Sequence, residues 1–119
     1  MARIYPLFSS SKGNSTYIGT KSEGILIDDG ISFARLKKAL DVNGLSVDAI
    51  KAIFVTHEHS DHTKGLAVLT KKINAPVFAQ GLTLEYLRKS CLINETCGLP
   101  LDVVTGVSAV CETAVELLL

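Results

Sequence analysis

Three histidines and an aspartate crowd one short run, Thr56-His57-Glu58-His59-Ser60-Asp61-His62. No other histidine occurs in the sequence. Imidazole nitrogen and carboxylate oxygen both suit Zn²⁺, at roughly 2.0–2.2 Å. In an extended segment side chains alternate faces with a period of 2, so His57, His59 and Asp61 project to one side. His62 has the opposite parity, so the chain must turn there to bring it in. Four donors in so short a run crowd one tetrahedral ion. They fit better as two half-sites, His57 with His59 and Asp61 with His62. Two-metal hydrolases place their ions roughly 3.5–4 Å apart. A plainer reading makes Asp61 a cap for the helix that follows and the histidines surface residues. It does not account for three imidazoles at this spacing. The expected chemistry is metal-assisted hydrolysis with Zn²⁺, up to two ions, and Mn²⁺ as the alternative.

The donors need a scaffold, and the flanking sequence describes one. Ala52-Ile53-Phe54-Val55 reads as a buried strand that delivers the loop. Earlier strands are expected near residues 3–8, 15–19 and 24–28, and a later one near 76–79. Pro6 suggests an edge position for the first, and Ser9 to Asn14 reads as a loop. Ser32 is placed to cap a helix whose residues Phe33, Leu36 and Leu40 share a face, and Gly44 to stop it. Helices are expected near 33–42, 64–73 and 82–90. Strands alternating with helices argue for an α/β (α+β) domain with a mixed sheet and helices on one face. After Cys91 the pattern is weak: Val103-Val104 and the stretch from Ala109 to Leu119 suit strand or helix equally.

The motif H-x-H-x-D-H after a β-strand resembles the signature of the metallo-β-lactamase fold hydrolases. The opening Phe8-Ser9-Ser10-Ser11-Lys12-Gly13-Asn14-Ser15-Thr16-Tyr17-Ile18 resembles the YycJ/WalJ-type branch. So do Leu26-Ile27-Asp28-Asp29-Gly30-Ile31-Ser32 and the stretch from Thr56 to Leu66. The resemblance implies a bacterial cytoplasmic metallo-hydrolase, of DNA exonuclease or phosphodiesterase type, with nucleic acid as substrate. It implies His57, His59, Asp61 and His62 as metal ligands, with Asp61 also orienting the nucleophile. Asp28 would hold the metal loop by hydrogen bonds from behind, or serve merely as a turn aspartate. Asn14 lies in a loop that is near the site in relatives, where simple turn chemistry is the plainer explanation. A phosphate-binding role for Lys12 is a further option beside that of an ordinary solvated charge.

The family's αββα sandwich is usually about twice this length and built from two similar halves. Residues 1–119 therefore read as a single, truncated domain: 1–90 match the family and 91–119 form a divergent tail. A later His, a bridging Asp and a final His are implied by the resemblance, and nothing after His62 matches them. An uncovered sheet face would then favour self-association. Three functions stay open: a nuclease, a thioester or other ester hydrolase of the same fold, and a non-catalytic metal-binding fragment.

Composition narrows this little. The 12 basic and 12 acidic residues cancel, which offers no argument for nucleic-acid binding. All 12 basic residues fall in residues 1–89 with 8 acidic ones, while residues 90–119 hold the other 4 acidic residues. The tail carries Asp102, Glu112 and Glu116 and makes a poor membrane span. Cys91, Cys97 and Cys111 lack C-x-x-C spacing and read as reduced thiols. No apolar leader is visible at Met1-Ala2-Arg3, and no membrane association is expected.

Overall fold

A computed structural model describes residues 2–90, 92–93 and 98–101. The expectations for Cys91, Cys97, Cys111, Asp102 and the apolar stretch beyond it lie outside these residues.

Among the described residues, six strands form one mixed sheet in sequence order. Strands β1 (Arg3–Ser10), β2 (Gly13–Gly19) and β3 (Gly24–Ile27) form an antiparallel meander. Strands β4 (Ile50–Phe54), β5 (Val77–Gln80) and β6 (Gly98–Leu101) continue it with parallel pairing from β3 onward. Pro6 sits on the edge strand β1, the position where proline is tolerated in a sheet. The expected loop from Ser9 to Asn14 is instead a tight hairpin. The ladder runs on through Ser9↔Asn14 and Ser10↔Gly13 and leaves only Ser11 and Lys12 to turn. Strand β6 was not expected: it extends the sheet edge beside β5.

Helix α1 (Phe33–Val42) starts where Ser32 accepts a hydrogen bond from the Arg35 amide, and the chain leaves it through Gly44 at φ 71°. The helix expected near 64–73 is α3 (Leu66–Lys72), and a separate short turn of helix not expected from the sequence, α2 (Ser60–Thr63), precedes it. The break at Gly65 has a packing cause. Its amide donates to the Asp29 carbonyl at 2.9 Å, and a Cβ there would lie 2.0 Å from the Ile31 carbonyl oxygen. The chain bends to make that approach. Helix α4 (Gly81–Lys89) follows β5 at once and buries Thr83, Leu84 and Leu87.

Leu36, Leu40, Leu66, Leu69, Leu84 and Leu87 from three helices share one core with Tyr17, Leu26, Ile53 and Val77 of the sheet. The helices thus cover one face, as the alternating pattern required. Each such leucine contributes roughly 1.5–3 kcal/mol by leaving water. The other face carries a smaller apolar cluster of Ile25, Ala52 and Phe54, with Ile18, Ile27 and Phe78 against it. That face is apolar as expected, but it is not open at these three central positions, which are 1%, 8% and 5% exposed. Among the described residues no helix is long and apolar enough to cross a membrane.

Candidate metal centre

The parallel strands β3 and β4 end side by side, and the two loops leaving them meet. Open α/β sheets bind ligands outside the carboxyl ends of their strands. Here β4 delivers Thr56 to His59, and β3 delivers Asp28 to Ile31. The Asp28 amide donates to the Phe54 carbonyl at 2.8 Å, so the ladder carries the pairing into the site.

Asp28 is the anchor. Its Oδ1 accepts the Thr56 amide at 2.8 Å, and its Oδ2 accepts the Thr56 hydroxyl at 2.7 Å. The same Oδ2 lies 2.7 Å from His62 Nδ1. The residue is buried and holds φ at 61°, a left-handed conformation that aspartate tolerates better than most residues. Its carbonyl accepts the Ser15 hydroxyl at 2.9 Å. The surrounding bonds hold a backbone state that would otherwise relax.

Asp61 is positioned from the other side. Asn14 Nδ2 donates to Asp61 Oδ2 at 3.1 Å, to the Asp61 carbonyl at 3.3 Å and to the Ser10 carbonyl at 2.8 Å. The β1–β2 hairpin is thereby tied to the loop. Two glycines permit this closeness. A Cβ on Gly30 would lie 1.7 Å from the Asp61 carbonyl oxygen, and one on Gly13 would lie 2.6 Å from the Gly30 carbonyl oxygen.

The donors gather unevenly. The His57 and His62 rings lie 3.8 Å apart, centre to centre, and His59 meets His57 edge-on at 4.7 Å. His62 Nε2 lies 3.5 Å from Asp61 Oδ2. His57 and His59 therefore share a side of the segment. The extended parity does not reach Asp61, because α2 begins at Ser60. The chain turns before Asp61, with the His62 amide bonded to the His59 carbonyl at 2.9 Å and the Thr63 hydroxyl 3.1 Å from the same oxygen. Asp61 and His62 thus project from one helical turn. The donor types suit a divalent ion. Among the described residues, however, no three His, Cys, Asp or Glu side chains are arranged to hold one ion together.

Two residues of the site were not anticipated. Thr56 bonds both Asp28 and His57, with its Oγ1 3.0 Å from His57 Nδ1. Its place between strand and motif was the available signal. Asp29 is fully buried, and among the described residues no side-chain group hydrogen-bonds either carboxylate oxygen; the Ile31 amide is the one group that acts on it. Burial pushes its pKa up to about 7, with the Ile31 amide pulling weakly the other way. Its backbone is well used: the amide donates to the His62 carbonyl at 2.9 Å and the carbonyl accepts from Gly65. At the rim, exposed Lys12 and Lys64 lie together, with the Lys64 ammonium on the Lys12 carbonyl.

A mixed sheet, helices on one face and a cluster of imidazoles at the ends of parallel strands define an α/β domain with a polar cluster at its strand ends. The chain belongs to the metallo-β-lactamase superfamily, whose family model matches residues 11–92. Members of that superfamily bind divalent metals. The chain is 42% identical over 77 residues to the exodeoxyribonuclease YycJ of Bacillus anthracis, covering 65% of this chain and 29% of that protein. It is 34% identical over 84 residues to the exodeoxyribonuclease WalJ of Streptococcus pneumoniae, covering 71% of this chain and 31% of the relative. Among solved structures, a metallo-β-lactamase of Cronobacter sakazakii matches with a TM-score of 0.62 at 25% identity, covering 69% of this chain and 34% of the other. The chain thus spans a little under a third of the length of these two relatives.

Proposed function

We propose that this chain carries one set of ligands of a metal-dependent phosphodiesterase that degrades DNA from an end. His57, His59, Asp61 and His62 would hold Zn²⁺, up to two ions, with Mn²⁺ as the alternative. The ion supplies Lewis acidity, which makes water nucleophilic near neutral pH and neutralises charge developing at phosphorus. Asp61 orients the nucleophile, Asn14 holds that carboxylate in place, and Asp28 holds the loop. Lys12 and Lys64 offer two ammonium groups to the phosphate backbone. The observation that carries the reading is the joint anchoring of Thr56 and His62 on one buried carboxylate, which turns a His-rich loop into a fixed site. The DNA substrate rests on the activity named for the YycJ and WalJ relatives, and a cytoplasmic location rests on that substrate.

A second reading, an incomplete, non-catalytic fragment that binds metal weakly, is favoured by one observation: no three donors close on a single point among the described residues. End-labelled DNA incubated with the chain and Zn²⁺ or Mn²⁺, beside a His59→Ala variant, separates the two. Metal-dependent release of nucleotides that disappears in the variant supports the nuclease. Metal uptake without hydrolysis supports the non-catalytic fragment.

A further inference from the structure

We infer that the Thr56 hydroxyl is a relay through which Asp28 fixes the tautomer of His57, so that one carboxylate orders two imidazoles. The purpose of this device rests on the metal-centre reading above; its content rests on hydrogen-bond geometry alone.

A hydroxyl has one proton to donate and lone pairs to accept with, whereas an ionised carboxylate only accepts. Thr56 Oγ1 lies 2.7 Å from Asp28 Oδ2 and 3.0 Å from His57 Nδ1. Its single proton is committed to the carboxylate. The hydroxyl therefore turns a lone pair to His57, and Nδ1 must be the protonated ring nitrogen. Nε2 is left bare. His62 reaches the same state without a relay, because its Nδ1 lies 2.7 Å from the same Oδ2. The neutral ring that donates from Nδ1 presents an unprotonated Nε2, the form in which imidazole binds a metal.

Thr56 suits the task for two further reasons. Its amide donates to Asp28 Oδ1 at 2.8 Å, so the carboxylate grips one residue at two points and sets the hydroxyl's position. Its branched Cβ restricts rotation about χ1. The two rings lie 3.8 Å apart. With both in the same tautomer, each of the two neighbouring rings presents an unprotonated Nε2. With either in the other tautomer, an N–H would point where a donor lone pair is needed. His59 stands outside this network: it is exposed, and its ring makes no side-chain hydrogen bond among the described residues. Thr56 is thus a positioning residue for His57, acting on the ring's proton rather than on substrate.

The test uses the whole chain, ¹⁵N-labelled and freed of metal by a chelator, at about pH 8.5, where imidazole is neutral. Two-bond ¹⁵N–¹H spectra of the rings report which nitrogen carries the proton. His57 and His62 should both appear as Nδ1–H. Thr56→Ser, which keeps the hydroxyl, should preserve both. Thr56→Val, which keeps the shape and loses the hydroxyl, should leave His62 as Nδ1–H and shift His57 to a mixture or to Nε2–H. A wild-type His57 protonated at Nε2 overturns the inference whether or not the valine variant folds. A valine variant whose His57 stays Nδ1–H overturns it too. Absence of nuclease activity would count against the proposed function while leaving this readout untouched.

Discussion

Asn14 and Asp61, 47 residues apart in sequence, are joined twice through one amide group, at 3.1 Å to the carboxylate and 3.3 Å to the carbonyl. The hairpin thereby sets the orientation of a carboxylate that no neighbour on its own loop holds so directly. Asn14→Ala should weaken Zn²⁺ binding by about 10–100-fold, the usual loss when a group behind a ligand is removed. Folding stability should fall by only about 1 kcal/mol, because the hairpin ladder remains. Competition titration against a zinc chelator and denaturant unfolding would read the two effects separately. Affinity within twofold of wild type would remove Asn14 from the site.

Asp28 combines an unusual backbone with three accepted hydrogen bonds, and two substitutions separate these contributions. Asn tolerates a positive φ, so Asp28→Asn should lose chiefly the charge-assisted bonds to Thr56 and His62, at a cost of roughly 1–3 kcal/mol. Asp28→Ala should cost about 1 kcal/mol more, from backbone strain added to lost bonds. Urea unfolding of the pair checks the order. Equal stabilities would mean that the left-handed backbone at Asp28 carries no strain.

Burial of Asp29 makes stability depend on pH in the opposite sense to a paired carboxylate. Its pKa rises from 3.8 to about 7 on folding. Between those values the folded chain holds a proton that the unfolded chain has released. Raising the pH through this window therefore weakens the fold, by at most about 1.4 kcal/mol per unit for this one group. Above about 7 the penalty is constant, and below 3.8 it is absent. Asp29→Asn should flatten the slope between pH 5 and pH 7 and stabilise the chain at neutral pH. A wild-type stability curve that is flat or rising across that range, corrected with the variant, would contradict the assignment.

Gly30 tests how tightly the loops are stacked. A methyl group there would overlap the Asp61 carbonyl oxygen at 1.7 Å and approach the Asn14 amide at 2.9 Å. Both obstacles are backbone, so a rotamer change cannot relieve them. Gly30→Ala should cost more than about 2 kcal/mol and displace Asp61 from His62. Gly81→Ala is the control, since nothing lies within 4 Å of a Cβ there.

What the sequence disclosed, and what it hid, follows the range of the interactions. Ser32, Gly44 and Pro6 act on their immediate neighbours, and their roles were readable from neighbours alone. The three-helix face was readable because Leu36, Leu40, Leu84 and Leu87 repeat with helical period. The donor loop was readable because its residues are adjacent. The break at Gly65 was not, since its cause is the Ile31 carbonyl on another loop. Thr56 was missed for the same reason: its hydroxyl has meaning only beside Asp28, 28 residues earlier. The neighbouring aspartates 28 and 29 look alike as text. Only the folded chain decides that the first grips the loop and the second is sealed away with no side-chain partner among the described residues.

Lys12 and Lys64 bear on the substrate. They come from the hairpin and from the end of α2, and the Lys64 ammonium rests on the Lys12 carbonyl, which brings the two exposed residues together. Among the described residues neither forms an ion pair with a carboxylate. A DNA backbone passing over the imidazoles would meet them. Each phosphate contact releases counterions, so affinity falls with log salt by a slope near 0.7–0.9 per contact. Lys12→Ala with Lys64→Ala should weaken single-stranded DNA binding at low salt and reduce the salt slope by about 1 to 2. Zn²⁺ affinity should be unchanged, because neither ammonium touches the donors. Fluorescence anisotropy across a salt series measures the slope. A double variant with wild-type slope and affinity would show that DNA, if bound, approaches from another side.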